Sequence, residues 1–310
     1  MSATEREINR VSDLLNQTSQ MKIPYEKGKR YLFIGCGSSY NLGYTVSSVL
    51  NRHRIPSFVR SAGSVLATNN LPDLNPETDV AVLISRTGES TETVLVLDRL
   101  RKSGVYTIGV TCQKDSSIVK NSDRAFLFDF AYEESVVMTG SFAAILDALL
   151  GSFQPVNLSE RAIAVLEASK RVIARLDLKR LNHFVFLGYD ALLGLSKEGA
   201  LKLQEMALES VDYNEPLEYR HGPKSTLTAS SLVLVQSQGT AYENALVHEL
   251  KSYGAEVIVV GKEGDIVVGS SNSDELPLRI LPVLWLGYQK AISKGLNPDQ
   301  PKNLSKTVVI

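Results

Sequence analysis

The chain repeats itself, and the repeat limits its fold more than any other feature. An apolar strand, a glycine turn and a helical stretch in RYLFIGCGSSYNLGYTVSSVL reappear later as HFVFLGYDALLGLSKEGALKL. DVAVLISRTGEST is answered by SLVLVQSQGTAYE, and SGVYTIGVT by YGAEVIVVG. The members of each pair lie roughly 150 residues apart, about one domain length. Any two α/β units share glycine-ended strands, so one pair would mean little. Three pairs in the same order argue for duplication. Within each copy, buried-type strands alternate with amphipathic helices, the pattern of βαβ units on a parallel sheet. The expected fold is therefore α/β: two similar units, each a parallel sheet flanked by helices in a flavodoxin-like or Rossmann-like sandwich.

The expected boundaries follow from where this pattern breaks. Residues 1–20 read as one amphipathic helix, 21–157 as the first unit, 158–296 as the second, and 297–310 as a tail. Pro155 and Asn157 interrupt the long apolar helix pattern that ends in ILDALLG, because proline cannot continue a helix. A helix from about Ser159 to Leu176 then bridges the halves.

With 310 residues, each half is long enough to bury its own core. Basic and acidic side chains number 33 and 34, for a net charge of -1. That balance gives no long-range positive field for nucleic acid or an anionic membrane. An anionic ligand must be held by a local site. Cys36 and Cys112 are too few for a disulfide framework. His53, His183, His221 and His248 are scattered, and neither a metal nor another cofactor is expected. The N-terminus is charged, without an apolar signal core, and no apolar run approaches the ~20 residues of a membrane helix. The expectation is a soluble, cytoplasmic protein.

In open α/β sheets, ligands bind beyond the carboxyl ends of the strands, where helix N-termini present free amides. Two loops of the first half fit that place: Gly35-Cys36-Gly37-Ser38-Ser39-Tyr40 after the strand YLFI, and Ser85-Arg86-Thr87-Gly88-Glu89-Ser90-Thr91 after VAVLI. They offer the hydroxyls of Ser38, Ser39, Ser85, Thr87 and Ser90, backbone amides and the Arg86 guanidinium, a donor set suited to a phosphate dianion. Each loop alone is equally an ordinary turn with N-cap serines; together they favour an anion site. Neither is a dinucleotide fingerprint, and no Walker lysine is present. Cys36 reads as a packed thiol.

In the second half, SKEGALKLQEMALES places Glu198, Lys202 and Glu205 on one helix face. Beyond it, VDYNEPLEYRHGPKSTL holds His221 beside Gly222 and Pro223. Read alone, this is a surface Glu–Lys pair worth a few tenths of a kcal/mol and a structural histidine.

Taken in order, CGSSY, SRTGES, EGALKLQE, RHGP and DQPKNLSKTV resemble the tandem sugar isomerase (SIS) domain family, in particular the isomerase half of glucosamine-6-phosphate synthases. The resemblance covers most of the chain. It implies that Glu205 is a base moving a proton between C1 and C2 of an open-chain sugar. Lys202 would stabilise the enediol-like charge, and His221 would assist ring opening from a neighbouring subunit of a homodimer. Ser39, Ser85, Arg86, Thr87 and Ser90 would bind phosphate, with Ser38 nearby, and Lys306 would close over the sugar. Glu198 is expected to be structural. The chemistry is consistent, since abstracting a proton beside a carbonyl needs a carboxylate and a cation near the developing oxyanion.

Two departures refine the expectation. Arg86 stands where the synthases have glutamine, and EESVVMTGSF replaces a different synthase segment. Both resemble AgaS-type sugar-phosphate isomerases and deaminases. The sequence also lacks the synthases' glutaminase domain with its N-terminal cysteine, which shifts the expectation from amination to deamination. The leading expectation is conversion of glucosamine 6-phosphate and water to fructose 6-phosphate and ammonia. The alternatives are an aldose–ketose isomerase of a phosphorylated hexose, a fructosamine-6-phosphate deglycase and a non-catalytic sugar-phosphate sensor.

Overall fold

The computed structural model describes residues 1–154, 157–270 and 273–308. Pro155, which marks the expected boundary, lies outside the described residues, as do Val309 and Ile310 of the tail. The chain opens with two helices, α1 (Ala3–Asn9) and α2 (Val11–Thr18). This corrects the single helix expected over residues 1–20. The chain bends at Arg10, whose guanidinium donates to the carbonyls of Phe130 and Tyr132. The bend lets α1 lie against the last helix of the chain while α2 packs elsewhere in the core.

The first unit runs β1 (Arg30–Gly35), α3 (Ser38–Arg52), β2 (Ser57–Ser61), α4 (Ala62–Thr68), β3 (Asp79–Ile84), α5 (Thr91–Lys102), β4 (Tyr106–Thr111), α6 (Ser117–Asn121), β5 (Arg124–Leu127) and α7 (Gly140–Leu150). The second runs α8 (Ser159–Ile173), β6 (His183–Leu187), α9 (Ala191–Ala207), β7 (Val211–Asn214), β8 (Ser231–Gln236), α10 (Ala241–Ser252), β9 (Glu256–Gly261), β10 (Ile266–Val267) and α11 (Leu281–Ser293). Helix α8 ends at Ile173, one turn before the expected Leu176.

Each unit forms a five-stranded sheet in which all pairs are parallel. The orders are β2-β1-β3-β4-β5 and β7-β6-β8-β9-β10, the same path traced twice. Strands β3 and β8 are buried along their whole length, as parallel strands covered on both faces must be. One continuous apolar cluster, including Phe33 and Phe142 from the first unit and Phe184 and Leu203 from the second, fills the space between the sheets. Smaller clusters sit on the outer faces, one under α4 and α5, the other under α10.

The two units meet most closely where α3 crosses α9. A β-carbon on Gly194 would come within 2.2 Å of Thr45 Oγ1 and 3.0 Å of its backbone nitrogen. Only glycine allows the helices to approach this far. The helices run antiparallel at this contact, so Thr45 meets Gly194, Asn41 meets Glu198, and Ser38 meets Lys202. The start of α3 is thereby set against the C-terminal half of α9.

Candidate active site

That register buries an ammonium between two carboxylates. Lys202 and Glu198 are fully buried, and the Glu205 side chain keeps 17% of its exposure. Lys202 Nζ donates to Glu205 Oε2 at 2.5 Å and to Ser38 Oγ at 3.1 Å, and lies 3.3 Å from Glu198 Oε1. Asn41 Nδ2 holds the other Glu198 oxygen at 2.8 Å. Burial works against the lysine's charge, but the two carboxylates outweigh it and raise its pKa. Burial raises Glu198 as well, against the pull of Lys202. The result is a Lys202 whose charged form is favoured by Glu198 and Glu205, with Asn41 holding Glu198 from behind, beside a partly accessible Glu205. Such a pair can take up a proton at one atom and stabilise negative charge at the next. Asn41 was not singled out in the sequence, because the antiparallel helix register that selects it is a tertiary fact.

Lys202 also ties α9 to the first of the two candidate loops, since Ser38 opens α3. Gly37 caps that helix at φ 54° and ψ -124°, a conformation that suits glycine. Ser38 and Ser39 are nearly buried at the strand end. In the second loop, Ser85 Oγ accepts from Gly88 N at 3.1 Å and lies 3.3 Å from Ser90 Oγ. Thr87 Oγ1 accepts from Glu89 N at 3.4 Å, and Ser90 is the N-cap of α5.

The second unit shows what this loop type holds. Its counterpart to Ser85 is Ser237, the residue after β8, and its counterpart to Ser90 is Thr240, the N-cap of α10. There the carboxylate of Glu243 fills the loop. It accepts from Gln238 N at 3.1 Å, Thr240 N at 3.0 Å, Thr240 Oγ1 at 3.1 Å and Ser237 Oγ at 3.3 Å. Glu243 is fully buried. The residue at the same place in α5 is Thr93, which carries a hydroxyl and no carboxylate. The fold thus uses one copy of the loop to bind an internal anion, whereas in the other, among the described residues, the nearby Glu89 carboxylate bonds Ser117 and no carboxylate hydrogen-bonds Ser85, Thr87 or Ser90.

Three expected site residues stand differently. Arg86, expected to bind phosphate, also has protein partners beyond the loop. Its Nη1 donates to Glu133 Oε2 at 2.9 Å and its Nη2 to the Val136 carbonyl at 2.5 Å, so its donors are directed at the segment 133–136. Lys306 points its ammonium at the Glu133 and Glu134 carbonyls and the Tyr132 hydroxyl. The tail it belongs to reaches the start of α5, where Thr91 N donates to the Val308 carbonyl at 3.3 Å. His221 is exposed at the end of a short 3-10 turn, and no side-chain contact joins it to Glu205 or Lys202 among the described residues. Cys36 is half-buried, and burial raises its thiol, in keeping with a packed role.

Fold and site together define an α/β protein of duplicated halves in which a serine-bearing loop of one half adjoins a buried Lys–Glu pair of the other. The SIS domain family model matches residues 25–150. A glucosamine-6-phosphate deaminase from Thermotoga maritima is 38% identical, with all of both chains covered and a TM-score of 0.90. Glutamine–fructose-6-phosphate aminotransferase from Sulfurisphaera tokodaii is 30% identical over 92% of this chain and 51% of that protein. The chain thus spans about half the length of that relative. D-galactosamine-6-phosphate deaminase AgaS from Shewanella is 26% identical over 88% of this chain and 77% of its own. The chain belongs to the SIS family of phosphosugar isomerases and deaminases.

Proposed function

We propose that this chain is an isomerising glucosamine-6-phosphate deaminase, acting as a cytoplasmic homodimer. The observation that carries the reading is the Lys202 ammonium, which bonds the base Glu205 on one side and Ser38 of the anion loop on the other. The substrate phosphate sits on Ser39, Ser85, Thr87 and Ser90, with Ser38 nearby, in the loop type that holds Glu243 in the other half. The open-chain aldehyde O1 faces Lys202. Glu205 removes the C2 proton, the electrons pass to O1, and an enolamine forms with its charge held by the ammonium. Reprotonation at C1 gives a C2 imine; water adds to C2, the C–N bond breaks, and ammonia leaves with fructose 6-phosphate.

His221 assists ring opening from the partner subunit. Its exposure supports this role, as does the open hollow of about 580 Å³ beside it, lined by Arg220, Lys224 and Tyr253. Lys306 and the tail cover the bound sugar. The test is a coupled assay of the purified chain with glucosamine 6-phosphate, reading ammonia and fructose 6-phosphate together. Equal yields support the reading. Measurable binding without either product would rule out the deaminase and leave an isomerase, a deglycase or a sensor.

A further inference from the structure

The two-fold relation between the halves produces a second cleft, at the opposite ends of α3 and α9. It has a volume of about 180 Å³ and lies beyond the carboxyl ends of β6 and β8. Its walls from the start of α9, the loop after β8 and the end of α3 match elements of the site described above. Asp190 takes the place of Gly37 and adopts nearly the same backbone, φ 51° and ψ -119°. Ala191 and Leu192 replace Ser38 and Ser39, and Gln238 replaces Arg86. Arg52 stands as far along α3 as Glu205 does along α9. Val49 and Thr45 likewise stand where α9 has Lys202 and Glu198. The acid–base machinery is therefore gone from this end, and its base has become a cation.

We propose that this cleft is a non-catalytic binding site for a small phosphomonoester. Cations reach it from three separate elements: Arg52 from α3, Lys262 from the turn after β9, and Arg279 from the turn before α11. Asp190 and Asp274 are the acidic residues of the lining, and Asp274 is already paired with Arg52 at 2.8 Å. Arg279 is 2% exposed, and its hydrogen bonds go to the carbonyls of Ser237, Val260 and Asp274. Burial lowers its pKa to about 10, against the pull of Asp274, Glu243 and Glu275. A buried guanidinium served by neutral acceptors gains from a ligand anion in the same cleft. Because Glu243 already fills the amide loop, the ligand phosphate binds on the guanidinium side.

The test is calorimetric titration with glucitol 6-phosphate, a hexitol phosphate with no carbonyl to react. It is run on wild type, on Arg52→Ala/Lys262→Ala and on Ser39→Ala/Ser85→Ala. Two sites per wild-type chain are expected. The first double variant should lose one, with at least tenfold weaker binding there, and keep its turnover of glucosamine 6-phosphate. The second should lose the other. Arg52→Glu, a charge reversal on an exposed side chain, provides an independent variant and should abolish the same site as the first. One wild-type site, lost in Ser39→Ala/Ser85→Ala and untouched in Arg52→Ala/Lys262→Ala, would overturn the proposal and leave the substrate cradle standing. One site lost only in the arginine and lysine variants would support the cleft and overturn the cradle.

Discussion

Arg86 Nη1 donates to Glu133 Oε2 at 2.9 Å, joining the Ser85–Thr91 loop to a buried carboxylate at the head of the segment EESVVMTGSF. Glu133 also receives Thr139 N and Oγ1 and Ser141 N and Oγ. Burial alone would raise its pKa, but Arg86 and these donors hold it below the usual carboxylate range. The two departures from the synthase pattern are thus a single interaction. Glu133→Gln breaks a buried pair and should cost about 3–5 kcal/mol, a fall in Tm of roughly 6–10 °C. Thermal melting checks this, and a Tm within a degree of wild type would contradict it.

Removing the loop hydroxyls tests the cradle. Ser39→Ala and Ser85→Ala each remove hydrogen bonds to a charged phosphate worth roughly 1.5–3 kcal/mol. KM for glucosamine 6-phosphate should rise roughly 10- to 100-fold per variant, with kcat much less affected. An unchanged KM would mean that the phosphate binds elsewhere.

Sequence pattern exposed some of this site and concealed the rest for definite reasons. Glu198, Lys202 and Glu205 were legible because helical periodicity is local, and they do share one buried face. The repeated strand–turn–helix segments were legible as local patterns too, whereas the order of the strands within each sheet is a tertiary fact. Arg86 was legible as a cation among hydroxyls, but its partner Glu133 lies far along the chain, where no local pattern reveals it. Thr240 and Glu243 had a readable signal, the spacing of a capping box; the additional donors from Ser237 and Gln238 come from the fold. The bend at Arg10 likewise depends on carbonyls of residues 130 and 132.

Asp190 occupies a backbone region suited to glycine, at a strain cost of about 1–3 kcal/mol. Asp190→Gly should relieve that strain, partly offset by ~0.5–1 kcal/mol of added freedom in the unfolded chain. Tm should hold or rise. A fall of several degrees would show that the side chain contributes more than its strain costs.

Asp147 of α7 accepts from Thr18 Oγ1 at 2.5 Å, and burial raises its pKa to about 6. The native state therefore binds a proton more tightly than the unfolded chain, so this group adds stability as pH falls from about 6 toward 4 and withdraws it as pH rises. Asp147→Asn should be more stable than wild type by up to about 3 kcal/mol at pH 8. The advantage should vanish near pH 4. Denaturant midpoints across that range provide the check, and a pH-independent difference would contradict the assignment.

The most direct test of the account follows the proton that Glu205 is assigned to move. Glucosamine 6-phosphate deuterated at C2 is incubated with wild type and with Glu205→Gln, and loss of deuterium from C2 is followed by NMR alongside ammonia release. Wild type should remove the deuteron and release ammonia. Glu205→Gln should do neither at a rate within roughly a thousandfold of wild type, while still binding the sugar phosphate. Near-normal loss of the C2 deuteron in Glu205→Gln would contradict the account.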